Sequence, residues 1–442
     1  MNQPPPYPSY REALAFWLKL GFISFGGPAG QVSIMHEYLV EKKKWISEQR
    51  FMHALNYCML LPGPEAQQLA TYTGWLLHGI RGGLTAGILF ILPSAIMIWL
   101  LSLIYVTYGD LPIIVTMFSF LKPAVIAIIL TALIKIGKRS LTSPFQYAVA
   151  ATAFALIYFL NISFPLIILG ALLIGFLVSR FRHAAFSSTS NPNQNLNEDQ
   201  SAYVIHQSSV KDIKPFRWRM LLFQCFICTF FWLMPLTILF GSGNDHFNFW
   251  KDLSLFFTKA AFVTFGGAYA VLPYIAQVSV ETFGWLTHFE MMDGLALGET
   301  TPGPLIMVLA FVGFMAGHNL FEGSLGMATL GLALTTYYTF LPSFLFIFAG
   351  APIIERTQSN PSLKSVLTFV TAAVTGVILN LGLLFGKAVI FSSPMNIQWL
   401  SLVWMIISFI ALQFLKVNMI VWIGVSLAIG IITFILQGYY TI

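Results

Sequence analysis

Three long apolar runs, at 84–106, 217–240 and 417–437, each approach the ~20 residues that a helix needs to cross a bilayer. Charged residues make up only 9% of the 442-residue chain, whereas a soluble domain carries about 25%. Too little polar surface remains to face water, so an all-α integral membrane protein is expected. The net charge of +6 is informative through its placement. Lysines and arginines sit mostly in short loops, a pattern that sets membrane orientation and does not indicate nucleic acid. The start, Met1–Arg11, is proline-rich and polar and does not read as a cleavable signal. Three cysteines make no disulfide framework, and the Cys225/Cys228 pair lies inside an apolar span, where helix packing accounts for it.

The chain also repeats itself. Adding 240 to Phe16, Lys19, Phe22, Phe25, Gly26 and Gly27 gives Phe256, Lys259, Phe262, Phe265, Gly266 and Gly267. The same step takes Val40, Glu41 and Trp45 to Val280, Glu281 and Trp285, Pro62-Gly63-Pro64 to Pro302-Gly303-Pro304, and His78 to His318. Further on the step becomes 249, through nine residues inserted in the second half, and Leu92-Pro93 meets Leu341-Pro342. Such a register over more than a hundred residues indicates a duplication.

Each half holds eight apolar segments by this reading, with one more between them. The basic loops of the first half (Lys42–Arg50, Arg81, Lys135–Arg139, Arg180–Arg182) mark the cytoplasmic side, and place the amino terminus there. In the second half the loops Glu281–Glu290 and Gly317–Ser324 lack Lys and Arg, and basic charge returns at Arg356 and Lys364. The second copy is therefore expected upside down, as in the inverted repeats of many secondary transporters. The organisation expected is a first repeat at 1–181, a polar cytoplasmic linker at 182–216, a connecting transmembrane helix at 217–241, and an inverted repeat at 250–442. The carboxyl terminus then falls on the periplasmic side.

Four short segments follow or precede glycine and proline breaks. Residues 29–40 and 268–280 reach only ~18–20 Å as helix, against a ~30 Å hydrocarbon core. Two helix–break–helix hairpins per half are expected, at 12–41 and 48–79, then 252–281 and 288–319. Broken helices at membrane depth are tolerated where they are buried in protein or line a wet cavity. Their free amides and positive dipole ends suit an anion; the plainer reading is a kink that serves packing.

The break residues Phe25, Gly26, Gly27 and Pro28, Pro62, Gly63 and Pro64, Phe265, Gly266 and Gly267, and Pro302, Gly303 and Pro304 are thus candidate substrate-binding positions. Gln31, Gln67, Gln68, Thr264, Thr300 and Thr301 flank them, with uncharged donors that suit an oxyanion or, equally, helix–helix hydrogen bonding. Lys19 and Lys259 either attract the anion or reach the interface or a nearby acid. Glu299 and Asp293 are candidates for proton coupling, with Glu65, Glu37 and His36 behind them. His78 and His318 read as interfacial, and Lys122 as either a pathway charge or an anchor.

These strings carry a resemblance. Phe25-Gly26-Gly27-Pro28, Trp45, Leu61-Pro62-Gly63-Pro64 with Gln68-Leu69-Ala70, Gly74-Trp75 and Leu92-Pro93 resemble the chromate ion transporter family. Thr264-Phe265-Gly266-Gly267, Gly284-Trp285-Leu286, Asp293-Gly294 and Glu299-Thr300-Thr301-Pro302-Gly303-Pro304 look like the second domain of its long-chain, two-domain members. Gly30, where alanine is common, and Ala268, in place of a frequent third glycine, depart from the pattern. The resemblance implies a bacterial inner-membrane carrier that exports chromate, a sulfate analogue, on the proton gradient. Partners would be the oxyanion, protons and the lipid bilayer; no cofactor or metal is called for, and homodimerisation is left open. Competing readings are uptake of sulfate or another anion and a passive channel. An intramembrane enzyme would need a catalytic cluster at the breaks, and neither HExxH nor GxSxG occurs.

Overall fold

The computed structural model describes residues 6–24, 27–181, 202–205, 218–241, 243, 245–265, 267–354, 361–393 and 396–440. It is helical nearly throughout. The first half runs α1 (Tyr10–Ile23), α2 (Gly27–His36), a π-helical turn (Glu37–Lys42), α3 (Glu48–Cys58), α4 (Glu65–Tyr108), α5 (Pro112–Ser140), α6 (Pro144–Leu160) and α7 (Phe164–Phe181). After α8 (Trp218–Gly241) the second half runs α9 (Phe247–Val263), α10 (Ala268–Ala276), a π-helical turn (Gln277–Thr282), α11 (His288–Thr300), a 3₁₀ turn (Leu305–Met307), α12 (Val308–Leu320), α13 (Leu325–Ile354) and α14 (Pro361–Ile390). A short hairpin of β1 (Phe391–Ser393) and β2 (Asn396–Ile397) leads to α15 (Trp399–Gln413) and α16 (Met419–Tyr440). Among the described residues, that hairpin and an isolated bridge between Ile46 and Ile205 are the β-structure outside the all-α expectation. Within the described residues, six helices are long and apolar enough to span a membrane, α8 among them.

Local chemistry recurs along with the residues. Ser47 and Thr287, 240 apart, cap α3 and α11 by accepting the amides of Arg50 and Glu290. Each satisfies a helix-end donor that would otherwise lack a partner. The turn before each cap is closed by the same bonds: Trp45 N–H to Leu39 O and Trp285 N–H to Ser279 O, both 2.8 Å. Helix α4 breaks at His78 and Gly79, so the second hairpin of the first half ends where the spacing predicts. His78 donates from Nε2 to Pro8 O (3.0 Å) and meets Tyr7 and Tyr10 edge-on, which pins the amino-terminal segment to this break.

The two halves interlock. Helix α1 packs on α4, and α9 on α13, each inside its own half. The later helices cross over: α5 packs against α15 and α16, while α14 packs against α6 and α7. A Cβ on Gly430 of α16 would lie 2.6 Å from the Met117 Cα of α5, so the backbones touch there. Close approach at small residues is how helices pack where lipid removes the hydrophobic drive. Helix α8 packs on α13 and α9 by one face and leaves Trp218, Leu222, Phe223, Phe226 and Phe240 each more than 60% exposed. Only a lipid environment or another apolar surface suits such a face.

Most of the expected linker lies outside the described residues. Within it, 202–205 is not a free polar tether. Ile205 is buried, donates its amide to Trp45 O (2.9 Å) and accepts from Ser47 N–H (3.0 Å).

Candidate functional site

Pro-Gly-Pro spans three residues but carries one backbone N–H, because proline has none. In each half that single amide crosses to the other half. Gly63 N–H donates to Thr264 O and Gly303 N–H donates to Ser24 O, both at 2.7 Å. Ser24 and Thr264 are the residues that end α1 and α9, 240 apart in the chain. The two bonds therefore exchange partners between halves, as across a two-fold axis. Both glycines have positive φ, +121° at Gly63 and +95° at Gly303, a region that favours glycine.

Glutamines close the arrangement. Gln31 donates to Gly303 O, and Gln68 donates to Pro62 O at 2.7 Å. Gln31, Gln67 and Gln68 are buried. The repeat counterparts of Gln31 and Gln68 are Val271 and Val308, so the amide side chains come from the first half alone. The result is two buried polar cradles, one at Ser24–Gly303 and one at Thr264–Gly63, each assembled from both halves. Pro64, Gly267, Pro302 and Pro304 are buried beside them, while Pro62, Gly27 and Phe265 are half-buried. Phe25, Gly26 and Gly266 lie outside the described residues, as does the side chain of Pro28.

The hydroxyls sort differently from the sequence reading. Thr264 donates to Ala260 O (2.6 Å), Thr300 to Leu297 O (2.7 Å) and Thr301 to Gly298 O (3.0 Å). All three protons serve their own helix. Two serines that spacing did not single out reach the cradles instead. A Cβ on Gly63 would sit 2.5 Å from Ser343 Oγ, and one on Gly303 would sit 2.7 Å from Ser94 Cβ. Ser94 and Ser343 follow Leu92-Pro93 and Leu341-Pro342, so the 249-residue register contained the signal.

Two acids are buried on α11. Glu299 accepts from Tyr269 Oη at 2.6 Å. Asp293 accepts from Tyr105 Oη at 2.9 Å on one oxygen and faces Lys122 Nζ at 3.3 Å on the other. Lys122 also lies over the Phe289 ring, 5.0 Å from its centre. Lys122 and Tyr105 come from the first half and Asp293 from the second, so this ion pair also bridges them. Six residues separate Asp293 from Glu299, ~9 Å along the helix axis. Their repeat counterparts are His53 and Met59, so these acids belong to one half only.

Other candidates lie elsewhere. Lys19 and Lys259 are exposed; the former reaches over the Tyr38 ring (5.2 Å) and the latter lines an open apolar groove with Leu255 and Phe262. His36 joins Glu48 and Glu41, and Glu37 pairs with Lys42 at 2.5 Å, in a surface network at the first elbow. The Glu37 carboxylate holds the Lys42 ammonium above its usual range. Glu65 is the first residue of α4, directly after Pro-Gly-Pro.

Comparison with known proteins follows the same division of the chain. The family model described as chromate transporter matches residues 11–176 and 251–431, the two halves without linker or α8. A probable chromate transport protein of Synechococcus elongatus is 27% identical over 88% of this chain and 88% of its own length. A chromate transport protein of Pseudomonas aeruginosa is 29% identical over 85% and 80%. An uncharacterized transporter of Methanocaldococcus jannaschii is 27% identical over 96% and 94%. No solved structure matches the chain at a significant level.

Proposed function

Because the chain belongs to the chromate transporter family, we propose that it exports chromate or a sulfate-like oxyanion as a secondary carrier driven by the proton gradient. It is a multi-pass membrane protein and a transporter, not an enzyme. The observation that carries the reading is the meeting of broken helices from both halves, through Gly63–Thr264 and Gly303–Ser24. Irregular backbone buried between repeats is where secondary carriers hold their cargo, and a pair of cradles related by exchange suits alternating access through an inverted repeat.

In this reading the anion is held at the breaks, by Gly27, Gln31, Pro62–Pro64, Gln68, Gly267 and Pro302–Pro304. Glu299 lies just before one cradle. An ionised carboxylate there repels a dianion, so protonation of Glu299, with Asp293 further out on the same helix, links proton entry to anion exit. The membrane is the bacterial inner membrane, with the amino terminus cytoplasmic and the carboxyl terminus periplasmic.

Everted vesicles, whose outer surface is the cytoplasmic face, given external radiolabelled chromate with and without a pH gradient, test this. Gradient-dependent accumulation in the lumen is expected; absence of flux for chromate, sulfate and molybdate would overturn it. Sulfate uptake through the same site is the second reading, favoured if flux runs inward under the physiological gradient.

A further inference from the structure

We propose that Ser94 and Ser343 are hydroxyl donors to the oxyanion, one at each cradle; this rests on the carrier function above and names two contacts within it. Both side chains are fully enclosed, 0% and 1% exposed. Neither hydroxyl has a hydrogen-bond partner among the described residues. Buried polar groups in folded proteins are normally paired, and serines in helices normally bond the carbonyl four residues back. Ser102 does so to Ile98 O at 2.6 Å and Ser140 to Ile136 O at 2.8 Å, although Ser408 of α15 is also buried and unpaired among the described residues. Ser94 and Ser343 leave the corresponding carbonyls of Phe90 and Thr339 alone.

Their positions are equivalent and crossed. Ser343 of α13 abuts Gly63 of the first half, and Ser94 of α4 abuts Gly303 of the second, with 3.2 Å from its Oγ to a Cβ built on that glycine. A side chain on either glycine would collide with the serine, so the hydroxyls lie directly against the Pro-Gly-Pro turns. The only backbone amide of each Pro-Gly-Pro already donates across the halves. The threonines at the breaks donate to their own helices. An oxyanion accepts hydrogen bonds and offers none, so it needs donors whose protons are not engaged, and the two serines meet that need. Ser24 Oγ, likewise buried and without a partner among the described residues, belongs to the residue whose carbonyl takes the Gly303 amide.

The test uses the full chain in proteoliposomes, with chromate as the probe, and the variants Ser94→Ala, Ser343→Ala and their combination. Each single change should raise KM about 10- to 100-fold, the usual effect of losing a hydrogen bond to a charged group. The chromate-induced rise in unfolding temperature should shrink in parallel. The unfolding temperature without chromate should hold or rise, because alanine removes a buried hydroxyl that lacks a partner. Unchanged KM and an unchanged chromate-induced shift in both single variants overturn the assignment, and mean that the hydroxyls serve water or packing. If the wild-type chain shows neither flux nor a shift with any oxyanion, the carrier function falls and the serines with it.

Discussion

Gly63 gives its amide proton to the carbonyl of Thr264, 201 residues away, at 2.7 Å. The bond joins the Pro-Gly-Pro of one half to the first helix break of the other. Gly303 and Ser24 repeat it with the halves exchanged. Neither break is complete within its own half.

Replacing Gly63 with alanine should disable transport. Its φ of +121° is poorly tolerated by an L side chain, and the new methyl would lie 2.5 Å from Ser343 Oγ and 2.7 Å from Gln68 Nε2. Strain of this kind costs about 1–3 kcal/mol. Chromate flux per inserted molecule should fall at least ~10-fold, with membrane levels near wild type. Gly303→Ala should behave alike.

Glu299→Gln replaces the acid with a permanently neutral group of the same shape. Flux should then lose its response to pH, because the variant is fixed in the form that the protonated acid mimics. Tyr269→Phe removes the bond to Glu299 and should shift the pH profile without flattening it. Initial rates across a pH series in proteoliposomes measure both; a wild-type profile for Glu299→Gln would remove it from coupling.

Lys122→Met leaves Asp293 buried without its cation. Breaking a buried ion pair on one side costs about 3–5 kcal/mol, whereas replacing both partners is often close to neutral. Lys122→Met should therefore lower the unfolding temperature in detergent, and Lys122→Met with Asp293→Asn should recover most of it. Non-recovery would mean that the lysine acts through its packing on Phe289.

Lys19→Gln and Lys259→Gln should leave chromate flux within about twofold of wild type, since exposed charges remote from a site contribute little. A large loss in either would give that lysine a role in drawing the anion in, which its exposed position in this structure does not suggest.

The hairpins and the Pro-Gly-Pro breaks were legible because each leaves a local mark: glycine where φ is positive and proline where an amide is missing. The caps Ser47 and Thr287 left a mark too, a serine or threonine before a helix, that the sequence reading passed over. Which hydroxyl keeps its proton free was not legible. Thr264, Thr300 and Thr301 look like better donors than Ser94 or Ser343 until the helix geometry shows where each proton goes. The crossing of α5 to α15 and α16 was equally hidden, because apolar helices carry no mark of which neighbour they meet. Lys122 read evenly as pathway charge or anchor for the same reason; its partner is 171 residues away.

That crossing has a consequence for how the protein is made. The face of α5 that α15 and α16 cover emerges from the ribosome more than 250 residues before its neighbours do. Through most of synthesis the first half waits in the membrane with that face turned to lipid, and its cradles still lack Gly303 and Thr264. Packing of the last two helices is therefore a late event, and a chain stopped before α15 leaves the α5 face that they cover without its neighbours.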